Sequence, residues 1–430
     1  MTHPTPLLDE LRWRGMLHQH TDALDDALTA GQVTGYAGFD PSASSLHIGN
    51  LIPVMGLAHL QRAGHRPIIL VGGGTGMIGD PSGRTAERQL HSPEQVEQNS
   101  RNLRRQLERF LDFDGPAAAR LMNNAEWLLP LDAITFMRDV GKHFTINYML
   151  AKDSVKSRID AGISYTEFSY MLLQAYDYLE LHRRAGATLQ LGGSDQWGNI
   201  TAGMELIRRT VGADTHALTL QLLLNASGTK FGKSEGGSVW LDPELTSPYK
   251  FYQFWVNVAD RDAGKYLRYF TLFPRDDIEA LDRALVEKPE KRDAQHSLAR
   301  DVTRRVHGDA ALAAAEEVSQ LLFGGGDPKS LSKEALEALK DEIPYFRVEK
   351  SGPVDTNDVI ESVSTGPDAL FKSKGDARRM IQQGGVYING RRLGPEREQL
   401  SGDDLLAGRY VLVRKGARSY ALVEIVGARS

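Results

Sequence analysis

Short apolar runs alternate with helical patterns in the first half of the chain. Residues 32–39 and 67–71 are compact apolar segments that end in turn residues or glycines, as buried parallel strands do. Between them, apolar side chains recur with helical spacing over 46–63, and Gly64 closes this pattern. A third strand is expected at 188–192. The pattern predicts an α/β domain with a parallel sheet.

Most of the remaining chain has helical patterns. An aromatic-rich segment over 131–181 reads as a helical insertion, and 247–322 has the alternating charges of a solvated helical bundle. Glycines at 324–326 break that pattern, and a polar stretch precedes a basic C-terminal part. We therefore predict a catalytic-type α/β domain at 1–226 with its insertion at about 125–185, a helical domain at 227–323, a linker at 324–357 and a small α+β domain at 358–430.

Composition narrows the class of protein. With 430 residues, 41% hydrophobic and 25% charged, the chain is long enough for several domains and is not a disordered type. The absence of cysteine excludes disulfides and cysteine-ligated metals. No apolar run is long enough to span a membrane, and the acidic N-terminal residues do not form a signal peptide. We expect a cytoplasmic protein without a membrane partner.

Charge is distributed unevenly. The net charge is -5, yet residues 366–430 hold twelve Lys and Arg against seven Asp and Glu, which leaves +5 there and -10 elsewhere. A basic end on an acidic chain is typical of an appended nucleic-acid-binding module, although an ordinary basic surface gives the same count.

A glycine-rich loop follows the second predicted strand. Gly74 to Gly79 spell G-x-G-x-x-G, which suggests a dinucleotide site and hence a dehydrogenase. However, Asp80 and a proline follow, where that motif continues into a helix. The expected acidic residue at the end of the next strand is also missing, so the dehydrogenase alternative is disfavoured.

Two further segments suit a polyphosphate. His47 and Gly49 fall where a turn enters a helix, a place that offers free N–H groups and a positive dipole end. Lys230 and Lys233 lie in the glycine-rich stretch 228–237 and offer two ammonium groups to developing negative charge. Either segment alone is also typical of an ordinary surface, but their combination favours a nucleotide triphosphate site.

One helical face carries polar groups within an apolar segment. Tyr170, Gln174 and Asp177 are spaced i, i+4 and i+7, so a phenol, an amide and a carboxylate face the same way. Buried polar groups need partners, which a satisfied core network or a small polar substrate could supply. On these residues alone, both alternatives stay open.

These segments together resemble a known family. Residues 47–50 and 230–234 are similar to the HIGH and KMSKS signatures of class I aminoacyl-tRNA synthetases, and much of the chain resembles bacterial tyrosyl-tRNA synthetases. The other matching stretches are 36–41, 79–83, 141–144, 165–170, 174–177 and 192–199, with 374–381 and 385–390 resembling an S4 RNA-binding domain. The resemblance implies a Rossmann-like catalytic domain, a helical domain that faces the anticodon arm, and an S4-like tail.

The resemblance also implies roles for individual residues. Tyr36 and Asp177 would bind the phenol hydroxyl of tyrosine, and the other tyrosine-binding side chains would be Asp40, Asp80, Tyr170, Gln174 and Gln196. The positions implied for ATP are Gly38, Ser42, His47, Gly49, Asn50, Gly193, Asp195, Lys230, Phe231 and Lys233. The groups implied to act on the polyphosphate are His47, Asn50, Lys230, Lys233, Arg84 and Arg88.

Three positions depart from the family pattern. Asn50 stands where the signature has a second histidine, Arg84 replaces a common lysine, and Ser42 replaces a frequent threonine. Asn50 can donate a hydrogen bond without carrying charge, Arg84 keeps its charge, and Ser42 keeps its hydroxyl. We expect the chemistry to survive all three.

The implied partners are L-tyrosine, ATP with Mg²⁺ as a substrate complex, and tRNA(Tyr), with no protein-bound metal. The cations expected to contact tRNA phosphates are Arg378, Arg379, Arg391, Arg392, Arg414 and Lys415. A homodimer through 131–161 is implied by resemblance. The remaining alternatives are a tryptophan-specific relative, which Tyr36 and Asp177 argue against, and an RNA-binding protein that has lost its chemistry, which retention of His47 and the lysines argues against.

Overall fold

The computed structural model describes residues 6–80, 91–152, 155–156, 162–223, 231, 233–234, 237–350 and 352–426. Contacts divide the chain into two compact units. The first comprises Met1–Asp242 and Val256–Val306, and the second comprises Pro243–Trp255 and His307–Ser430. These divisions differ from the predicted domain limits, which remain predictions.

A six-stranded sheet forms the centre of the first unit. Its strands are β1 (Leu17–His20), β2 (Thr34–Phe39), β3 (Arg66–Val71), β4 (Arg120–Asn123), β5 (Leu189–Gly193) and β6 (His216–Leu220). The order is β1-β6-β5-β2-β3-β4, with β1 antiparallel to β6 and the other neighbours parallel. The predicted α/β class and its three strands are confirmed. The pattern did not predict β1, β4 or β6.

Helices of the first unit pack around this sheet or continue beyond it. They are α1 (Leu7–Trp13), α2 (Leu24–Ala30), α3 (Leu51–Arg62), α4 (Pro93–Leu107), α5 (Ala125–Leu128), α6 (Ala133–Asp139), α7 (Ile146–Leu150), α8 (Tyr165–Ala185) and α9 (Trp197–Val211). The next helix, α10 (Pro248–Val256), belongs to the second unit except for Val256, and the first unit continues with α11 (Asp260–Phe270), α12 (Arg275–Glu287) and α13 (Asp293–His307). The expected helical character of 131–181 and 247–322 is thus observed, and a short hairpin pairs β7 (Lys233–Ser234) with β8 (Gly237–Ser238).

Helix α8 shows how local sequence sets the position of polar groups. The Ser164 side chain accepts from the backbone N–H of Glu167 and caps the first turn, and Gly186 ends the helix in the left-handed conformation. Between these limits Ala175 and Tyr178 are fully buried in the core beside the sheet. Because the caps and the apolar face fix the rotation of the helix, Tyr170, Gln174 and Asp177 have defined directions.

The strand order reverses beside β2. From β2 the chain adds β3 and β4 on one side and β5 and β6 on the other, so the carboxyl ends of β2 and β5 flank a topological switch point. In open α/β sheets such a point leaves a crevice that binds ligands. The expected candidate residues follow these strand ends.

The second unit contains a five-stranded sheet. Its strands are β9 (Tyr345–Glu349), β10 (Val386–Ile388), β11 (Arg391–Arg392), β12 (Tyr410–Lys415) and β13 (Ser419–Val426), in the order β11-β10-β12-β13-β9. Its further helices are α14 (Asp309–Gly324), α15 (Lys333–Leu339), α16 (Thr356–Ser362) and α17 (Lys374–Gln382). Both α15 and β9 fall within the range predicted as a linker; β9 is a half-exposed edge strand, whose polar pattern does not read as a strand. Among the described helices, none is long and apolar enough to cross a membrane.

Candidate active site

The floor of the crevice is a run of glycines after β3. A Cβ atom on Gly72 would lie 2.2 Å from the Asp40 carboxylate, and one on Gly73 would lie 2.3 Å from the Asn123 amide oxygen. Glycine is therefore required for these side chains to approach the backbone. Gly73 and Gly74 donate their N–H groups to side-chain oxygens of Asn123 and Asn124, at 3.2 and 2.7 Å. Since protein side chains occupy these donors, the loop does not offer them to the pyrophosphate of a dinucleotide.

Asp177 is the buried centre of the crevice. It is 2% exposed; Asn124 Nδ2 donates to one carboxylate oxygen at 2.8 Å and Trp127 Nε1 donates to the other at 2.7 Å. Burial raises the pKa of Asp177 to about 8, and the two donated hydrogen bonds oppose that rise. The carboxyl group is thus held in one orientation by two rigid donors, with remaining lone pairs that can accept from a ligand.

A continuous hydrogen-bond chain leads from Asp177 to the carboxyl end of β2. Asn124 also donates to Thr75 Oγ1 at 2.9 Å, and Thr75 in turn donates to Asp40 Oδ1 at 2.7 Å. The other Asp40 oxygen accepts from the Tyr170 hydroxyl at 2.8 Å. Burial and the neighbouring carboxylates raise the pKa of Tyr170, so its hydroxyl stays protonated as a donor.

Tyr36 lies on β2 beside this chain. The side chain is fully buried and its ring packs edge-on against Tyr178 at 5.2 Å between centroids. Its hydroxyl has no hydrogen-bond partner among the described residues. Burial, with Tyr178 and Asp177 nearby, raises the pKa of Tyr36 well above its ordinary value. A buried neutral hydroxyl without a partner costs free energy that a ligand hydroxyl would recover.

A second polar array lies between α8 and the end of β5. Gln196 Nε2 donates to Asp80 at 2.8 Å, and Gln174 Nε2 donates to Gln196 Oε1 at 3.1 Å. Asn199 Nδ2 donates to the Gln174 carbonyl oxygen at 2.9 Å. Together with Asp40 and Tyr170, these groups give the crevice many acceptor oxygens, which suits an ammonium ion.

His47 caps the turn that leads into α3. Its Nδ1 accepts from the Gly49 N–H at 3.0 Å, and Asn50 Oδ1 accepts from the His47 N–H at 3.0 Å. Because Nδ1 accepts, the neutral ring carries its proton on Nε2. Asn50 therefore caps this turn with its side-chain oxygen, which does not require a charged side chain. Its amide nitrogen is a hydrogen-bond donor.

The segment of His47 pairs with the chain that follows the β7–β8 hairpin. Ile48 donates to the Val239 carbonyl at 3.0 Å, Leu241 donates to the Leu46 carbonyl at 2.8 Å, and His47 forms an antiparallel bridge with Trp240. The turn at His47 is thus in contact with the chain that follows the predicted lysine segment.

Phe231 anchors the other side of this contact. Its ring stacks on Phe270 at 5.0 Å and meets Tyr266 edge-on at 4.8 Å. Its carbonyl oxygen would lie 3.3 Å from a Cβ on Gly49. The apolar side chain therefore holds the backbone of the lysine-rich segment against the turn at His47.

The other positions expected at ATP line the strand ends. Gly38 is exposed near the end of β2, and a Cβ there would meet nothing within 4 Å, so a flat ring has room to lie over it. Gly193 is the last residue of β5 and Asp195 follows this strand. Ser42 follows β2, and its carbonyl accepts from His91 at 3.2 Å. Arg84, Arg88, Lys230 and the Lys233 side chain lie outside the described residues.

The basic residues of the second unit differ in their surroundings. Arg378, Arg379, Arg391 and Arg392 are exposed. Arg379 lies 3.6 Å from the Asp376 carboxylate, Arg391 pairs with Glu398, and Arg392 donates to the Gln383 carbonyl at 3.3 Å. Arg414 and Lys415 are half-buried: Arg414 stacks 3.9 Å from the ring centre of Tyr387, and Lys415 donates to the Leu370 carbonyl at 3.0 Å. The exposed arginines are thus placed to meet a polyanion, whereas the last two are engaged within the domain.

Metal ligands do not cluster in the part of the chain that the structure covers, where no group of three or more His, Asp or Glu is arranged to hold an ion. The expectation of no protein-bound metal stays a prediction. A magnesium ion that arrives with ATP belongs to the substrate.

Sequence reasoning missed four side chains of this site: Thr75, Asn124, Trp127 and Asn199. Asn124 and Trp127 come after β4, a short half-exposed strand that the apolar pattern does not reveal. The usable signal was the pair of asparagines directly before a helix, a sequence typical of a strand-to-helix turn. Asn199 lies in the stretch 192–199, which resembles the family, but the resemblance gave this residue no role.

Comparison with known proteins agrees with the fold and the crevice. The family described as tRNA synthetases class I (W and Y) matches residues 29–324, and a domain described as tyrosine–tRNA ligase SYY-like C-terminal domain matches 335–423. The α/β crevice with its paired histidine and lysine segments is thus that of a class I aminoacyl-tRNA synthetase.

Individual relatives narrow this class. A tyrosine–tRNA ligase of Roseiflexus castenholzii is 54% identical over 430 residues, covering 98% of this chain and all of the relative. One of Bacillus caldotenax is 51% identical, with 97% and 99% covered. A truncated mitochondrial tyrosyl-tRNA synthetase of Aspergillus nidulans has a TM-score of 0.67 at 29% identity, covering 74% of this chain and 94% of that one. The chain belongs to the family of bacterial tyrosine–tRNA ligases.

Proposed function

We propose that the protein activates L-tyrosine with ATP to tyrosyl-adenylate and pyrophosphate, and then transfers the tyrosyl group to the 3′ end of tRNA(Tyr). The observation that carries this proposal is the buried pair of Tyr36 and Asp177 beside the contact between the segments of His47 and Phe231. A crevice for an aromatic alcohol thus adjoins a seat for a polyphosphate.

Substrate selection follows from the two polar arrays. The phenol hydroxyl of tyrosine would donate to Asp177 and accept from Tyr36, whose hydroxyl then gains the partner it lacks. The α-ammonium group would lie among the oxygens of Asp80, Tyr170 and Gln174. Phenylalanine would leave the buried Tyr36 hydroxyl unpaired, which costs roughly 1 to 3 kcal/mol, and would forgo the hydrogen bond from the ligand to Asp177.

Activation needs positioning and charge stabilisation. The tyrosine carboxylate attacks the α-phosphorus of ATP, the bond to pyrophosphate breaks, and negative charge grows on the leaving group. His47 would donate from Nε2 to this charge, and Lys230 and Lys233 would balance it. By resemblance, Arg84 and Arg88 reach the pyrophosphate, Gly38 and Gly193 flank the nucleotide, and Asp195 holds its ribose.

Pyrophosphate exchange with single amino acids tests this proposal. We expect ATP–pyrophosphate exchange with tyrosine, little with phenylalanine and little with tryptophan. Robust exchange with tryptophan would refute the tyrosine assignment, and no exchange with any amino acid would favour an RNA-binding protein without activity. Replacing His47 by Ala should lower the turnover of exchange by about 100-fold and leave tyrosine affinity nearly unchanged.

We propose that the basic face of the second unit, which comprises the exposed Arg378, Arg379, Arg391 and Arg392, binds tRNA. A cleft of about 640 Å³ in the same unit is lined by cationic groups, including Lys329 and Arg418, and by the exposed aromatic ring of Phe323. Cations beside an exposed ring suit phosphates and an unstacked base. We expect this step to occur in the cytosol.

A homodimer is proposed through the helical insertion. Large apolar side chains are exposed there close together in sequence, Ile134 at 71%, Met137 at 55% and Ile146 at 60%. Clustered exposed apolar groups mark interaction surfaces. Ile134→Asp should convert dimer to monomer in sedimentation velocity, whereas Val286→Asp, at an 83% exposed valine on α12, should not. A monomeric wild-type protein would refute the dimer.

A further inference from the structure

Ser45 occupies a buried position two residues before His47, with 4% exposure. Its hydroxyl donates to the Leu46 carbonyl at 2.7 Å and accepts from Gln106 Nε2 at 3.0 Å and from the backbone N–H of Asp242 at 3.1 Å. A hydroxyl has one donor and two acceptor positions, so these three contacts use its full capacity. This side chain therefore links three separate stretches of the first unit.

The first of these links is to α4. Gln106 also accepts from the Leu46 N–H at 2.9 Å, so one amide holds both residues before His47. Asn99 and Asn102, on the same helix, donate to the carbonyls of Pro41 and Ser44, at 3.0 and 3.2 Å. Helix α4 thus fixes the loop from β2 to His47 by three side-chain amides. It is also the helix that follows the segment of Arg84 and Arg88 in sequence.

The second link is to the chain that leaves the lysine-rich segment. The Leu46 carbonyl that accepts from Ser45 also accepts from the Leu241 N–H, and Asp242 donates to Ser45 directly. The pairing of residues 46–48 with 239–241 therefore ends at this hydroxyl. Without this hydroxyl, the partly buried Asp242 N–H and the Gln106 amide would both lose their acceptor beside the last hydrogen bond of the pairing.

We infer that Ser45 and Gln106 are positioning residues for adenylate formation, a role that rests on the proposed function. They fix the separation between His47 and the segment after Lys233, so that groups from both meet one polyphosphate. Neither residue bonds to the tyrosine network of Asp40, Asp177 or Gln196 in the contacts described above. We call the hydrogen bonds that join Ser45 to Gln106 and to Asp242 the junction. Loss of the junction should therefore slow the reaction of tyrosine with ATP and leave the binding of tyrosine intact.

The test compares Ser45→Ala with Ser45→Thr in the full-length protein. We expect Ser45→Ala to lower the rate constant of tyrosyl-adenylate formation by about 10-fold or more. The dissociation constant of tyrosine, from equilibrium dialysis, should change less than about 2-fold, because its pocket is untouched. Ser45→Thr keeps the hydroxyl and should restore most of the rate. Unchanged rate in Ser45→Ala, or equal losses of rate and tyrosine affinity, would overturn the inference.

A second variant covers the case in which Ser45→Ala does not fold. Gln106→Glu keeps an acceptor for the Leu46 N–H but loses the donor to Ser45, and it should lower the same rate constant. Glu97→Gln, at an exposed residue of α4 that pairs with Arg101, serves as the control and should have wild-type rates. A wild-type rate in Gln106→Glu would count against the junction.

Coupling to the lysine segment is measured by a double-mutant cycle with Lys233→Ala. If the junction places that lysine, the effect of Ser45→Ala should shrink when Lys233 is already absent. Purely additive effects would overturn this part of the mechanism. A wild-type protein that activates no amino acid would instead refute the proposed function itself, so the two failures are distinguishable.

Discussion

The crevice proposed for tyrosine and the basic face of the second unit use polar groups in opposite ways. In the crevice Asp177 is 2% exposed and receives rigid hydrogen bonds from Asn124 and Trp127. On the basic face Arg378 and Arg379 stand in solvent on α17, with long flexible side chains. Burial makes an unpaired group costly, so the crevice can reject a substrate that lacks one hydroxyl. Exposed cations contribute attraction to many phosphates and little discrimination.

Replacing Asp177 should have the largest effect, and this effect should fall on tyrosine activation, the role proposed for the crevice. Asp177→Asn presents an amide where two donors already point, so we expect kcat/KM for tyrosine in pyrophosphate exchange to fall by about 100-fold or more. Glu126→Gln, at an exposed carboxylate next to Trp127, should leave it unchanged. If Asp177→Asn retained wild-type tyrosine activation, the crevice would not be the tyrosine site.

The pH dependence of stability tests whether burial dominates at Asp177. Burial raises the pKa of this carboxyl to about 8 in the folded protein, against about 4 in the unfolded chain. The folded state therefore favours the protonated form, and this contribution to the free energy of unfolding is lost as pH rises between these values. Its slope is at most about 1.4 kcal/mol per pH unit.

Urea unfolding of the wild type and of Asp177→Asn across this pH window measures the effect. The wild type should lose stability relative to the variant as pH rises. Parallel pH profiles would show that the hydrogen bonds from Asn124 and Trp127 offset burial completely.

Removing exposed cations should act on tRNA alone. The double variant Arg378→Ala/Arg379→Ala should raise KM for tRNA by about 10-fold and reduce the slope of log affinity against log salt by nearly two, with pyrophosphate exchange unchanged. Arg414→Gln is the informative comparison, because this arginine stacks on Tyr387 within the sheet and should lower thermal stability instead. Loss of tyrosine activation in the double variant would contradict the separation of roles.

Of these variants, Tyr36→Phe should change the free protein least, and it should not lower the free energy of unfolding. Its buried hydroxyl lacks a partner among the described residues, so removal should leave the free energy of unfolding unchanged or raise it by about 1 kcal/mol. The preference for tyrosine over phenylalanine in exchange should nevertheless fall by about 10-fold, since one hydrogen bond to the substrate is lost. If Tyr36→Phe were less stable than the wild type, the Tyr36 hydroxyl would have a stabilising partner in the free protein. If the variant kept the wild-type preference for tyrosine over phenylalanine, this hydroxyl would not bind the substrate.

Local patterns were sufficient for the elements that bury long apolar runs. Residues 67–71 read as a strand because every side chain there is apolar, and 131–181 read as a helical insertion, in which the structure has the long helix α8. The same patterns missed β4 and β9, because these strands are short and half-exposed, so their polar residues hide the alternation.

By itself, the sequence determined the α/β class, the basic end of the chain, and which residue types could meet tyrosine and ATP, because these depend on local spacing and on chemistry that each side chain carries alone. Tertiary structure decided that Asn124 and Trp127 hold Asp177 and that the Tyr36 hydroxyl is buried without a hydrogen-bond partner among the described residues. It also decided that Ser45 bonds to Asp242, 197 positions further along the chain. These contacts depend on which strand ends meet at the topological switch point of the sheet. Contacts between residues far apart in sequence leave no periodic trace in it, and only packing brings them within hydrogen-bond distance.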